Sequence, residues 1–295
     1  MEKWVLAAKR ADFQEIGRKY GIDPVIARII RNRDITEDAE INQYLNGTLD
    51  DIPSWKSLKD IDKAVEIISQ KIDLGTRMRI IGDYDIDGVT ATYILLKGFK
   101  RLGANVDTYI PDRIADGYGI HNHLIEKAKE DGVDTIVTCD NGISAADQIA
   151  FAKKMGMTVV VTDHHEVPFE DTEEGRKYKL PLADAIINPK QSDCTYPNKN
   201  ICGAVAMKLV FALYEKYGIP ESEKEDYLEP AAIATVGDIM DLQGENRILV
   251  KEGLLRLPHT KNKGLKALIR AIGLENQKIS SYDIGFRLGP CINAS

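Results

Sequence analysis

Short apolar runs alternate with amphipathic stretches through the middle of the chain. Met78–Gly82, Val106–Ile110, Thr135–Cys139, Thr158–Thr162 and Ala185–Ile187 are strand-length segments rich in branched aliphatic residues, and they predict five buried strands. Between them, Val89–Leu102, His121–Lys129 and Ala145–Met155 carry apolar residues at helical spacing. This alternation predicts an α/β fold, with a mostly parallel five-stranded sheet and helices on both faces. Ligands of such sheets collect beyond the carboxyl ends of the strands, so the polar residues at those ends are the ones to follow.

The flanks read as helical. Phe13–Tyr20, Pro24–Arg31 and Asp38–Leu45 predict short amphipathic helices, the last ending near Asn46-Gly47. Asp50 to Trp55 reads as a connector, after which Ile61, Ala64, Val65, Ile68 and Ile72 form one helical face closed by Gly75. Beyond Asn200, Gly203–Tyr217, Tyr227–Val236, Glu245–Leu255 and Gly264–Ile272 carry helical spacing. The expected division is an N-terminal helical accessory region over 1–57, a sheet-bearing domain over 58–250, and a helical segment leading into an interdomain linker over 251–295. The last stretch, Arg287 to Ser295, places Gly289-Pro290 before small and polar residues. It reads as a loop leading onward, as in a chain cut from something longer.

Composition narrows the class. The 295 residues are 43% hydrophobic, enough to bury a sizeable core. No segment approaches eighteen uninterrupted apolar residues and the start has no long apolar stretch, so a cytoplasmic chain with no membrane span is expected. Cys139, Cys194, Cys202 and Cys291 lack Cys-x-x-Cys spacing, which predicts reduced, mostly buried thiols rather than a disulfide framework or thiolate zinc site. A formal charge of −7 argues against a broadly basic nucleic-acid-coating surface. It leaves nucleic acid open as a substrate, because a carboxylate cluster that holds divalent cations depresses the net charge and reverses the local field once filled.

Chemistry concentrates at the predicted strand ends. After the first strand come Asp83, Asp85 and Asp87 at alternate positions, then Gly88. Three carboxylates so close repel one another unless a cation or a ring of donors offsets them, although a solvated acidic turn with one aspartate capping the next helix fits the same letters. The third strand ends in Asp140-Asn141-Gly142 and the fourth in Asp163-His164-His165. Carboxylates with an imidazole suit Mn²⁺, Mg²⁺ or Zn²⁺, and the excess of oxygen favours the harder ions. The Pro111 to Ile120 loop, with Arg113 and two glycines, suits an anionic ligand, or is a plain surface loop opening a helix. His121 and His123 read as a helix start without a flanking carboxylate, His259 as a surface residue, and Asp238, after a helical apolar run, as a capping or turn residue.

Taken in order, Asp83-Tyr84-Asp85-Ile86-Asp87-Gly88, Asp140-Asn141-Gly142, Asp163-His164-His165 and Val236-Gly237-Asp238 resemble the motifs of the DHH phosphoesterase superfamily. Tyr109 to Arg113 with Gly117-Tyr118-Gly119, Gly203-Ala204, and Leu288 to Ala294 narrow the likeness to the RecJ family of bacterial single-strand-specific exonucleases, from about Leu45 onward. The resemblance implies a phosphodiesterase using two Mn²⁺ or Mg²⁺ ions that removes nucleotides from the 5′ end of single-stranded DNA in repair and recombination, with DNA-repair proteins as partners. It implies Asp85, Asp87, Asp140, His164 and Asp238 as metal ligands, with Asp140 bridging the ions. Asp83 becomes a close supporting carboxylate or a ligand, His165 the group against the scissile phosphate, and Arg113 and Asn293 substrate contacts. The chain departs from the family in carrying Cys291 where arginine is usual, and in stopping before the DHH-associated C-terminal domain.

Two other readings stay open. One keeps the metal site but changes the substrate to short oligoribonucleotides, cyclic dinucleotides or pyrophosphate. The other is a non-catalytic scaffold, which has no physical reason to keep mutually repelling carboxylates.

Overall fold

The computed structural model describes residues 9–173 and 175–294. The first eight residues of the accessory region and Ser295 of the terminal stretch lie outside the described residues. Three short helices open the chain: α1 (Phe13–Tyr20), α2 (Pro24–Asn32) and α3 (Asp38–Asn46). The Asp12 and Asp23 side chains cap the first two by accepting from Glu15 N–H and Val25 N–H. Ile30, Ile35 and Ile41 form a small core of their own here. This region docks on a later helix, since Arg247 donates to the Tyr44 carbonyl at 2.6 Å and Lys251 to that of Gly47 at 3.1 Å.

The central part follows the alternation of its sequence. In chain order come α4 (Ile61–Asp73), β1 (Met78–Ile81), α5 (Ile86–Arg101), β2 (Val106–Tyr109), α6 (Asn122–Glu130), β3 (Thr135–Cys139), α7 (Ala146–Lys154) and β4 (Thr158–Thr162). Then follow β5 (Phe169–Thr172), β6 (Gly175–Tyr178), β7 (Ala185–Ile187), α8 (Ala204–Lys216), α9 (Leu228–Gly237), α10 (Gly244–Arg256) and α11 (Lys263–Ala271). The main sheet has the order β2-β1-β3-β4-β7 with every pairing parallel. Its strands alternate between two cores, as a pleat of period two requires. Met78, Ile80, Val137, Cys139 and Val160 face α4, α5 and α8, while Ile81, Ile136, Val159 and Val161 face α6 and α7. The expected fold class holds.

Three local expectations are corrected. β5 and β6 form an antiparallel hairpin between β4 and β7 that sequence pattern does not signal, because every residue the structure describes in it is exposed. α5 begins at Ile86 rather than Val89, as Asp85 caps it by accepting from Gly88 N–H at 2.8 Å. The terminal stretch is helical rather than a loop: Ser281–Asp283 leads into a π turn over Ile284–Leu288 and then Gly289–Asn293. Gly289 stays in a helix because it permits close approach: a Cβ there would stand 3.3 Å from Ile86 Cδ1. Pro290 falls at the start of the last helical piece, where its missing N–H costs least. Ile284 and Leu288 complete a third core around Ile86, with Ile233 and Ile279.

Candidate metal centre

The chain leaves β1 toward β2 on one side and returns through β3 on the other, so the connections diverge at the carboxyl ends of β1 and β3. That is the crevice where open parallel sheets bind ligands. Asp83 and Asp85 follow β1, Asp140 follows β3, and the Asp163-His164-His165 run follows β4. Asp238 arrives from elsewhere, as the C-cap of α9.

These side chains meet. His164 Nε2 lies 2.9 Å from Asp140 Oδ1, 3.3 Å from Asp87 Oδ2 and 3.7 Å from Asp238 Oδ2. Ligand atoms of Asp83, Asp85 and Asp140 lie within 4.8 Å of one another, as do those of Asp140, His164 and His165. Asp140 therefore belongs to both groups. Asp87, buried at 1% exposure, is fixed by the Gly203 N–H, which donates to both of its carboxylate oxygens at 2.9 and 3.0 Å.

The backbone bends hard to achieve this. Asp140 sits in the left-handed region at φ 60°, a conformation that aspartate tolerates better than most residues. Ile239, directly after Asp238, has φ 56°. A β-branched residue there is strained, and such strain gathers at functional sites.

The electrostatics describe a ring of carboxylates short of positive charge. Burial and the neighbouring Asp87 lift Asp140 well above the usual carboxylate range. Burial, then Asp87, pushes Asp238 up to about 6. Burial also raises Asp83, against the backbone N–H groups that hold it. For His164 burial works downward, but the hydrogen bonds it donates to Asp140 and Asp87 outweigh it and lift the imidazole to about 11. A protonated imidazole is the positive charge this ring finds for itself. Asp83 Oδ1 and Asp238 Oδ2 are buried without a hydrogen-bond partner, and a buried oxygen in that position normally has a partner. Oxygen-rich donors, orphaned oxygens and mutual repulsion together fit divalent cations.

His165 is set apart from this group. Its side chain is 43% exposed. Asp163 Oδ1 stands 2.8 Å from its Nδ1 and also accepts from the backbone N–H groups of His164 and His165. Asp163 Oδ2 accepts from Ile143 N–H at 2.8 Å. Burial would raise this carboxyl, yet the hydrogen bond from His165 and the other donors leave it below its usual value. Asp163 is thus an ionised acceptor and Nδ1 carries the proton, while Nε2 has only the Tyr118 hydroxyl beside it, at 3.5 Å. Sequence reasoning passed over Asp163, because only the folded chain shows what its carboxylate holds.

The loop after β2 covers the same edge. Tyr118 donates to the Asp140 carbonyl at 3.0 Å, and its oxygen lies 3.4 Å from His165 Nδ1. The Arg113 guanidinium stacks 4.2 Å from the centroid of the Tyr84 ring and donates to the Asn293 carbonyl at 3.2 Å. Asn293 Oδ1 accepts from Ile86 N–H at 2.7 Å. Arg113 and Asn293 are brought together at the start of α5. His121 is the N-cap of α6, in keeping with the expected helix start. His123 does have a carboxylate beside it, contrary to expectation: Asp116 Oδ1 is 2.8 Å away and ties the loop to α6. His259 is exposed.

Residues 77–235 match a family model described as the DHH family, N-terminal domain. The chain is 36% identical to the single-stranded-DNA-specific exonuclease RecJ of Salmonella typhimurium over 286 residues, taking in 93% of this chain and 47% of that protein. It is 36% identical to the Bacillus subtilis RecJ over 274 residues, 92% of this chain and 33% of that one. Among solved structures, an exonuclease RecJ bound to manganese superposes with a TM-score of 0.70 at 34% identity, over 80% of this chain and 57% of the other. RecJ from Thermus thermophilus in complex with Mn²⁺ gives a TM-score of 0.73 at 29% identity, over 94% of this chain and 38% of that one. The chain spans about half or less of the length of these curated relatives.

Proposed function

Because this chain belongs to the DHH family, we propose that it is a metal-dependent phosphodiesterase that hydrolyses single-stranded DNA from the 5′ end, as the catalytic core of a RecJ-like exonuclease. The observation that carries this reading is the meeting of Asp87, Asp140 and Asp238 within 3.7 Å of one imidazole nitrogen, His164 Nε2. Relatives named as single-stranded-DNA-specific exonucleases and a manganese-bound RecJ structure support it. On this reading residues 58–250 form the hydrolytic unit, 1–57 an accessory region and 251–295 the way toward a further part. Among the described residues no helix is long and apolar enough to cross a membrane. Work on DNA in the cytoplasm, beside DNA-repair proteins, is part of the same proposal.

Asp85, Asp87, Asp140, His164 and Asp238 would hold Mn²⁺ or Mg²⁺, with Asp140, which belongs to both groups of ligand atoms, between two ions. Bound there, the ions supply a water activated for attack and neutralise charge on the phosphoryl oxygens. The remaining work falls to the chain itself. Asp83 stands beside Asp85 and Asp140 as a supporting carboxylate. Asp163 holds the Nδ1 proton of His165, whose side chain is 43% exposed, so Nε2 is the nitrogen that can hold the scissile phosphate or pass a proton to the leaving oxygen. Arg113 and Asn293 sit at the N-terminus of α5, an anion-favouring position for the strand's phosphates.

Digestion of 5′-labelled and 3′-labelled single-stranded DNA, a dinucleotide and pyrophosphate, side by side in Mn²⁺, tests the proposal. Label should leave the 5′ end first; pyrophosphate as the sole substrate overturns the reading.

A further inference from the structure

Cys202 lies at the wall of the metal centre, and the proposed hydrolysis gives it no task. It is 1% exposed, on the loop before α8. The next residue is Gly203, whose N–H grips both Asp87 oxygens, so the backbone that fixes Asp87 also fixes the thiol. Ligand atoms of Cys202, Asp87 and Asp238 lie within 4.8 Å of one another. Asp238 Oδ2 in this group is buried without a hydrogen-bond partner. His164 Nε2 reaches the same two carboxylates at 3.3 and 3.7 Å. Two carboxylates and one sulfur thus face a single position, with His164 beside the same carboxylates and Thr235 Oγ1, 3.8 Å from the thiol, behind it.

That donor set differs in kind from the Asp83, Asp85 and Asp140 group, which is all oxygen. Oxygen donors suit Mg²⁺ and Mn²⁺, whereas a thiolate added to two carboxylates suits Zn²⁺, which takes three protein ligands and leaves its fourth position open. We propose that Cys202 makes the Asp87–His164–Asp238 position selective for thiophilic divalent cations of the zinc class, so that the two halves of the centre differ in the metal they prefer. As the ion enters, the thiol S–H bond breaks, its proton leaves to solvent, and a metal–sulfur bond forms without any change of oxidation state. The inference rests on the metal-centre reading above.

Zinc absorption-edge spectroscopy on the full chain carrying Cys291→Ser, loaded with one equivalent of Zn²⁺, tests it without altering the site. Sulfur at about 2.3 Å in the zinc shell, absent when Cys202→Ser is added, is the expected result. A parallel Co²⁺ titration should give a thiolate-to-metal charge-transfer band that Cys202→Ser and Cys202→Ala both abolish. Competition between Zn²⁺ and Mn²⁺ should show the ratio of affinities falling roughly tenfold or more in Cys202→Ser, with Mn²⁺ affinity little changed. Zinc bound by nitrogen and oxygen alone, or Mn²⁺ binding without Zn²⁺ binding, overturns the proposal and leaves the metal centre standing. Failure of every divalent ion to bind overturns both.

Discussion

Asp163 Oδ1 lies 2.8 Å from His165 Nδ1, and the same oxygen accepts from the two backbone N–H groups that follow it. One carboxylate therefore sets both the turn that aims the histidines and the nitrogen on which His165 carries its proton. Asp163→Asn should lower turnover on single-stranded DNA by roughly a hundredfold or more, with Mn²⁺ affinity little changed. Single-turnover kinetics beside calorimetric metal titration checks this. His165→Ala should behave likewise, and lost metal affinity in that variant would make His165 a ligand instead.

Asp140 is shared between the ligand groups, so its loss should release both ions. Asp140→Ala should abolish hydrolysis and remove the rise in melting temperature that Mn²⁺ gives the parent chain. Chelator treatment of the parent should reproduce that loss, read by thermal unfolding.

Gly203 leaves no room for a side chain. A Cβ at this position would stand 2.4 Å from Asp87 Oδ1. Gly203→Ala should displace the carboxylate it now grips and weaken Mn²⁺ binding on the order of ten- to a hundredfold. The circular dichroism of the fold should stay that of the parent.

The metal-free centre should be a liability that depends on pH. Burial and Asp87 raise Asp238 from 3.8 to about 6 in the folded chain. Below both values the group is neutral in either state and costs nothing. As pH rises from 3.8 through 6 the unfolded chain gains the ionised form first, and above 6 the folded chain bears the full cost, on the order of 2 to 3 kcal/mol. Asp238→Asn should therefore raise the melting temperature of metal-free protein at neutral pH and leave it unchanged below about pH 4, while losing the stabilisation by Mn²⁺. Melting curves with and without the ion across that range check it.

Lys208 and Glu245 form an ion pair at 2.6 Å with both side chains at or below 3% exposure. Tyr196 donates to Glu245 at 2.7 Å and Lys208 to the Pro53 carbonyl at 3.1 Å, which joins the N-terminal segment to α8 and α10. Lys208→Met strands a buried carboxylate and should cost about 3–5 kcal/mol. Adding Glu245→Gln should return most of it, as measured by urea unfolding.

The sheet was legible because β1, β3, β4 and β7 are buried on both faces, and continuous aliphatic runs such as Val159, Val160 and Val161 leave little choice. The proposed metal ligands could be picked out because each follows such a run, apart from Asp238, which the family pattern supplied. The hairpin over β5 and β6 was not, since Phe169-Glu170-Asp171-Thr172 alternates no apolar face toward any core. The terminal helical run was hidden by glycine and proline, which break helices in general but here admit Ile86 and occupy a helix start. The partners of Asp163, Cys202 and His123 were beyond reach for a different reason. Nothing in a linear order states which atoms a fold will press together.

The hydrogen bond from Ile86 N–H to Asn293 Oδ1 joins positions 207 residues apart, with Ile86 seated between two of the aspartates. A ribosome must add all of those residues after the isoleucine before its clasp exists. While still being synthesised, the polypeptide lacks this bond, so the start of α5 stays unclasped until that distant helical turn emerges and closes.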